Sequence, residues 1–164
     1  DSGVEMMTTP EKITDMTDNN EQVYYNRDEI PQWGREWMEI VEAVERPKDY
    51  VWQHFEASEL VNRTIGTSRY YNDVLGKSID FGVSIYLDKI TYSLEEFGGY
   101  TYIESYEGVH NQELEVYSRK ESGKIFYLIS FYEGNCKYYI KGEDNLEELK
   151  DLIEIYCECV KNLN

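Results

Sequence analysis

Basic residues are scarce in this sequence. Lysine and arginine together number 16, against 33 aspartates and glutamates, and the formal net charge is -17. A protein that binds nucleic acid or an anionic membrane surface needs a basic footprint to contact phosphates. The composition therefore argues against both of these roles, whereas a basic protein partner is permitted but not implied.

Long apolar runs and catalytic motifs are also missing. No run of about 18 apolar residues occurs, so the sequence predicts no transmembrane segment. The two histidines, His54 and His110, are far apart in the chain. No nucleophile elbow, zinc-protease motif, phosphate-binding glycine loop or dinucleotide fingerprint is present. We therefore predict a protein that is not an enzyme and that uses no metal ion or other cofactor.

Cysteine is limited to Cys136, Cys157 and Cys159. An odd number without repeated spacing argues against a disulfide framework, and no Cys-x-x-Cys pair suggests zinc. Cys157 and Cys159 lie two residues apart on a predicted helix, where their side chains diverge by about 160° and cannot be bonded to each other. We expect small buried hydrophobic side chains, with a disulfide between Cys136 and one helical cysteine as the alternative.

The C-terminal residues have the pattern of an amphipathic helix. Asp144 is suited to cap its first turn, and Glu147 is placed to complete a capping box. At helical spacing, one apolar stripe is formed by Leu146, Leu149, Leu152, Ile153, Tyr156, Val160 and Leu163. A helix with one apolar side must pack against another apolar surface.

That surface is predicted in residues 112–141, which have the pattern of an antiparallel meander. Residues 125–132 are apolar on both alternating faces, as is typical of a central strand. Turn residues at 120–123 and 133–135 separate this strand from its neighbours. The two faces of the last strand consist of Cys136, Tyr138 and Ile140 and of Lys137, Tyr139 and Lys141. We expect the helix to cover the face that carries Cys136.

Helical spacing dominates the chain before Gly76. Trp33 and Trp37 begin a helical pattern that Pro47 ends, and we interpret the two tryptophans as a core ridge. A second helix is predicted over about 48–63, followed by a connector over 64–76. Residues 1–26 are polar and acidic without periodicity, so we interpret them as an arm or tether ahead of a single domain, 27–164.

From Ser78 onward the periodicity changes to two. Residues 78–87 alternate, the phase slips at 88–89, and Ile90, Tyr92 and Leu94 alternate again. One face of a further strand is assigned to Tyr100, Tyr102, Glu104 and Tyr106. The segregation of periods predicts an α+β fold, in which N-terminal helices precede an antiparallel meander of four to six strands with the C-terminal helix packed on it.

One sheet face is a candidate surface for a ligand or partner. We assign to it Tyr100, Tyr102, Tyr117, Arg119, Lys137 and Tyr139. Tyrosine and arginine are favoured at interface centres, and this face is predicted to lie opposite the C-terminal helix. The alternative is that the N-terminal helices cover the same face. In that case Trp33 and Trp37 would bury Tyr117 and Tyr139, and the tyrosines would be structural.

Residues 138–149, Tyr-Tyr-Ile-Lys-Gly-Glu-Asp-Asn-Leu-Glu-Glu-Leu, join a tyrosine-rich strand to capping acids and a leucine stripe. This closing unit resembles that of extracytoplasmic lipoproteins of Gram-positive gut and spore-forming bacteria, whose role is unknown. The resemblance implies a cell-surface domain and transfers no functional residues. The chain starts at Asp1 rather than Met. We therefore expect an upstream segment to have been removed, by processing after a signal peptide or lipid-modified cysteine, or by truncation for expression.

These features predict a non-catalytic binding domain that is secreted or anchored at the cell surface. Its partner would be an unidentified protein or small ligand, and its localisation would be extracellular or cell-surface anchored. The alternative is an acidic cytoplasmic inhibitor or immunity-type protein that masks a basic protein partner, whose association a high negative charge would accelerate.

Overall fold

The structure is a computed structural model that describes residues 21–87 and 98–162. Within these residues, eight strands form a single antiparallel sheet in the order β1-β2-β3-β4-β8-β7-β6-β5. The strands are β1 Gln22–Tyr24, β2 Val51–Glu59, β3 Arg63–Asn72, β4 Lys77–Tyr86, β5 Thr101–Glu107, β6 Glu113–Glu121, β7 Lys124–Glu133 and β8 Cys136–Glu143. The predicted phase slip at 88–89, the alternation of Ile90, Tyr92 and Leu94, and Leu163 lie outside the described residues.

The sheet consists of two meanders, β1–β4 and β5–β8, in which each strand pairs with the next strand along the chain. They are joined where β4 pairs with β8, with Ile79 opposite Gly142 and Ile85 opposite Cys136. We call this junction the β4–β8 seam. It places the first and the second half of the chain in one continuous sheet.

The two described α-helices, α1 (Gln32–Ala43) and α2 (Leu146–Asn162), pack on the same face of this sheet. The Nε1 of Trp37 in α1 donates to the Oη of Tyr156 in α2 over 2.8 Å, and that hydroxyl donates to the carbonyl oxygen of Gly82 over 3.0 Å. The buried core beneath the helices includes Phe55, Tyr70, Phe81, Val83, Val116, Ile129, Phe131 and Ile140. We call this side of the sheet the helix face and the other side the second face.

Several sequence predictions are confirmed. The fold is of the α+β type, with an antiparallel sheet and a C-terminal helix on the face that carries Tyr138 and Ile140. Trp37 is buried in the core, and Trp33 packs edge-on against Phe55 at 5.6 Å between ring centroids. The three cysteines are free, and Cys157 is fully buried while the other two are partly buried.

The pair of N-terminal helices is not confirmed. The first forms as α1, but residues 48–63, predicted as the second helix, contain β2 and the start of β3. The register of β2 shifts between Trp52 and His54, so Trp52, Phe55 and Ala57 all pack toward the helix-face core. The β-bulge thus breaks the strict alternation of apolar residues that would have indicated a strand. The predicted connector at 64–76 is mostly β3, and the described sheet has eight strands rather than four to six.

A second bulge corrects the face assignment in β5. Tyr102 lies opposite Tyr117 on the second face, but the register shifts before Glu104, which lies opposite Val116. Glu104 and Tyr106 therefore turn toward α2, where Lys150 lies 3.6 Å from the Glu104 carboxylate and over the Tyr106 ring at 5.0 Å. The four residues predicted to share one face are divided between both faces.

The first turn of α2 is capped by Asn145 and not by Asp144, the residue predicted from the sequence. Asn145 Oδ1 accepts a hydrogen bond from the backbone N–H of Glu148 over 3.1 Å, as an N-cap side chain does. Asp144, predicted as the cap, instead has a φ of 71° and forms an ion pair with Lys77 at 3.1 Å. Its backbone conformation directs the chain from β8 into the helix.

Candidate functional site

The second face carries a continuous row of side chains across the middle of the sheet. Strand register places its members opposite one another in the order Arg69, Asp80, Lys141, Leu128, Tyr117 and Tyr102. One end of this row is charged and the other end is apolar and aromatic. Leu128 and Tyr117 are buried, so the accessible side chains of this row are Arg69 and Lys141 in its charged part and Tyr102 at its aromatic end.

A cleft of about 280 Å³ lies at the charged part of this face. Its walls include Arg69, Asp80, Tyr100, Arg119, Phe126 and Lys141. Glu143 is the second carboxylate in the lining, so three cationic side chains face two acidic ones. We call this feature the cationic cleft. The described residues of its lining carry a formal charge of about +1, in a chain whose net charge is -17.

The floor of the cleft is an ion pair between neighbouring strands, in which the carboxylate is buried and the guanidinium is partly exposed. Arg69 binds Asp80 through two hydrogen bonds, Nε to Oδ1 at 2.8 Å and Nη2 to Oδ2 at 3.0 Å. Asp80 is 5% exposed, and its hydrogen bonds raise the pKa of Arg69. Lys141 Nζ lies 3.9 Å from Asp80 Oδ2, beyond hydrogen-bonding distance. Arg69 therefore satisfies the buried carboxylate, whereas the Lys141 ammonium keeps donors for another group.

Arg119 forms part of the cleft wall together with two aromatic rings. Its guanidinium lies 5.0 Å from the Tyr100 ring centroid and 5.3 Å from that of Phe126. Its Nη2 donates to Glu121 over 3.1 Å, and its buried Nε has no hydrogen-bond partner among the described residues. Burial raises the pKa of Tyr100, so its hydroxyl stays protonated. The rings hold the guanidinium plane in a defined orientation beside the cleft.

The six residues predicted as a binding surface all lie on the second face, at different depths. Tyr100 and Arg119 line the cationic cleft, and Tyr102 is 47% exposed beside Tyr117, at 5.8 Å between ring centroids. The other three, Tyr117, Lys137 and Tyr139, are buried. The binding role of this surface stays a prediction, and we now centre it on the cleft.

The burial of Tyr117 and Tyr139 does not come from the tryptophans. Trp33 and Trp37 both contact the ring of Phe55, which belongs to the helix-face core. Tyr139 instead packs on the backbone of Gly82 in the adjacent strand, where a Cβ atom would come within 2.1 Å of its ring. The alternative in which α1 covers the second face is therefore wrong.

Sequence reasoning missed Arg69, Asp80 and Phe126 as site residues. Arg69 fell in the predicted connector, although the β-branched and aromatic residues around it, Thr64, Ile65, Thr67, Tyr70 and Tyr71, are typical of a strand. That composition was the available signal for β3. Nothing in the sequence indicated that β3, β4 and β8 would bring Arg69, Asp80 and Lys141 side by side.

Within residues 21–87 and 98–162, no group of three or more histidine, cysteine, aspartate or glutamate side chains is arranged to hold a metal ion. No helix in this part of the chain has the length and apolar character needed to cross a bilayer. His54 lies in β2, where its Nε2 is 2.9 Å from Glu56 Oε2, and His110 lies in the loop before β6.

Comparison with known proteins yields no relative. No protein-family model matches the chain, and neither the curated proteins nor the solved structures give a match.

Proposed function

We propose that this protein is a non-catalytic binding domain that holds a small ligand in the cationic cleft. The observation that supports this most strongly is local charge. Arg69, Arg119 and Lys141 line one cleft in a chain with twice as many acidic as basic residues. Concave sites with a few convergent polar groups against an aromatic wall are the usual form of small-ligand sites.

The way the cleft is built also supports a binding role. Arg69, Asp80 and Lys141 project from neighbouring strands in the middle of the sheet, and Arg119 is held between two rings. Side chains fixed on strands present a site with less conformational freedom than side chains on loops. A preorganised site loses less side-chain entropy when its ligand binds.

The size of the cleft limits the ligand. Its volume of about 280 Å³ equals that of roughly nine water molecules at their liquid density. Ligand sites generally range from about 300 to 1,000 Å³, so this cleft lies at the small end. A compact molecule fits it, whereas a folded protein would reach only its rim.

We also propose that the domain acts outside the cytoplasm, secreted or anchored at the cell surface. The resemblance of residues 138–149 to extracytoplasmic lipoproteins supports this location. Fractionation of the native organism, followed by immunodetection, tests it. We expect the protein in the membrane or extracellular fraction, and a purely cytoplasmic signal would contradict this.

The rival function, inhibition of a basic protein, is favoured by the charge of the helix layer. The exposed acidic residues on α1 and α2 include Glu36, Glu39, Glu42, Glu147, Asp151 and Glu158. A basic partner would be attracted to this layer rather than to the cationic cleft. The two functions therefore predict contacts on opposite sides of the sheet.

Amide chemical-shift mapping distinguishes these functions. A library of small metabolites, titrated into isotope-labelled protein, should shift amides of β3, β4 and β8 around Arg69, Asp80 and Lys141. Shifts confined to α1 and α2 on addition of a basic protein would favour the inhibitor. Turnover of a bound metabolite would contradict the non-catalytic assignment.

A further inference from the structure

We propose that the ligand of the cationic cleft is a compact organic monocarboxylate, held by Lys141 and Arg119. This inference rests on the proposed binding function and specifies the chemistry of its ligand. It follows from three properties of the cleft: its charge, its unused hydrogen-bond donors and its aromatic wall.

The charge of the cleft matches a single negative charge. Among the described residues, three cations and two carboxylates line it, so a monoanion brings this part of the lining to neutrality. A neutral ligand would leave the excess positive charge without a partner. A dianion would leave a net negative site in a chain that already carries -17. Monovalent anions are therefore favoured over both alternatives.

Lys141 and Arg119 each keep hydrogen-bond donors that the described residues do not use. Both Nε and Nη2 of Arg69 are engaged by Asp80, whereas the ammonium of Lys141 is 3.9 Å from its nearest carboxylate oxygen. Arg119 uses Nη2 for Glu121, and its Nη1 has no hydrogen-bond partner among the described residues. The side chains of Lys141 and Arg119 are 33% and 36% exposed, so a ligand can reach both. Charge-assisted hydrogen bonds from such donors suit a carboxylate.

The aromatic wall favours an organic acid over inorganic phosphate. Phe126 and Tyr100 line the same cleft as Lys141 and Arg119. Phosphate has no apolar part to place against these rings, and near neutral pH a large fraction of it is dianionic. A carboxylate attached to a small apolar or aromatic group uses both parts of the site.

Fluorine NMR with three probes tests this inference. The probes are fluorobenzoate, its neutral isostere fluorobenzamide, and inorganic phosphate as a competitor. We expect saturable binding of fluorobenzoate, at least about tenfold weaker binding of fluorobenzamide, and displacement by phosphate only at much higher concentration. Comparable affinities for the acid and the amide, or phosphate binding more tightly than fluorobenzoate, would overturn the inference.

Charge-matched variants locate the site. Lys141→Gln should weaken fluorobenzoate binding about tenfold, and Arg119→Gln should do so independently. Lys150→Gln removes the same charge from α2 and should leave the affinity unchanged. Equal effects of Lys141→Gln and Lys150→Gln would mean that the affinity depends only on the net charge of the protein. That result would contradict the assignment to the cationic cleft. Amide spectra of each variant establish that its fold is intact.

The same probes separate this inference from the proposed function. If a neutral or cationic metabolite maps to the cleft while fluorobenzoate does not bind, the monocarboxylate assignment fails and the binding function stands. If ligands map only to α1 and α2, both fail.

Discussion

At the scale of single residues, Tyr156 connects both helices to the sheet. Its hydroxyl accepts from Trp37 of α1 and donates to the carbonyl of Gly82, and the side chain is fully buried. Burial raises its pKa well above the usual value, so the phenol stays neutral and serves as acceptor and donor at once. Removing this oxygen would eliminate the hydrogen bond from the buried indole N–H of Trp37 and the hydrogen bond to the buried carbonyl of Gly82.

We therefore expect Tyr156→Phe to lower the free energy of unfolding by about 1 to 3 kcal/mol, measured by urea denaturation. Tyr106→Phe is the matched control, because the buried Tyr106 hydroxyl has no hydrogen-bond partner within the described structure. Its loss should leave the stability unchanged or raise it, because a buried hydroxyl without a partner costs free energy in the folded state. Equal effects of the two substitutions would show that the bridging hydroxyl does not stabilise the helix layer.

Ionisation of Cys157 should lower the stability of the fold as the pH rises into the alkaline range. Burial raises the pKa of its thiol from 9.0 to about 11. In the unfolded chain the thiol ionises from about pH 9, and in the folded protein only near pH 11, so rising pH favours unfolding across this window. Between pH 8 and pH 10 the wild type should lose about 1 kcal/mol more stability than Cys157→Ala, by urea denaturation at both pH values. Parallel losses in the two proteins would contradict this assignment.

The candidate site was predictable only in part at this scale. Alternation placed Lys137 and Tyr139 on the correct face of β8, but both are buried. Alternation distinguishes one face of a strand from the other and carries no information on depth. Depth depends on neighbouring strands, as in the packing of Tyr139 on Gly82, and those neighbours are far away in sequence.

At the scale of elements, two β-bulges account for the wrong predictions in β2 and β5. Each bulge inserts a residue that changes which side chains share a face, between Trp52 and His54 and between Tyr102 and Glu104. β6 and β8, which have no such shift, were predicted from their period of two, β7 from its apolar residues on both faces, and α2 from its apolar stripe. A regular register alone was not sufficient, because β3 pairs with β4 without a shift and was predicted as a connector.

The close packing between β4 and β8 gives an element-scale prediction. Gly82→Ala would place its Cβ about 2.1 Å from the Tyr139 ring, so the ring must move. We expect a loss of about 1 to 3 kcal/mol in thermal or urea unfolding. Gly98→Ala is the control and should be nearly neutral, because no atom of the described residues, apart from its chain neighbours, lies within 4 Å of the added Cβ. In a Tyr139→Ala background the Gly82→Ala cost should shrink; an undiminished cost would argue against the ring contact.

At the scale of the whole molecule, charge repulsion opposes folding. With a net charge of -17, acidic side chains repel one another more strongly in the compact state than in the unfolded chain. Raising ionic strength from about 0.01 M to about 1 M shortens the screening length from roughly 30 Å to roughly 3 Å. We expect Tm to rise by about 2 to 4 °C, corresponding to about 1 kcal/mol.

Scanning calorimetry in sodium chloride measures this effect. A variant with Glu36, Glu39 and Glu147 changed to glutamine and Asp151 changed to asparagine should show a smaller rise, because it has fewer repelling charges. A salt-induced decrease of Tm would instead mean that ion pairs such as Arg69–Asp80 outweigh the repulsion.

Periodicity could not predict which strands pair where the two halves of the sheet join. Every other strand pairing joins neighbours along the chain, whereas the β4–β8 seam brings Tyr86 to Asn135, 49 residues away. The seam also builds the cationic cleft, because it sets Asp80 beside Lys141.

This seam has a kinetic consequence. Hairpins form from local contacts within microseconds, but a long-range pairing requires a large loop to close before its contacts contribute. Closure of the seam should therefore set the folding rate, while β2–β4 and β5–β8 are assembled beforehand from short hairpins. A chain arrested before this step would have unpaired strand edges on β4 and β8 and no complete ligand site, so binding competence and the last folding event would arise together.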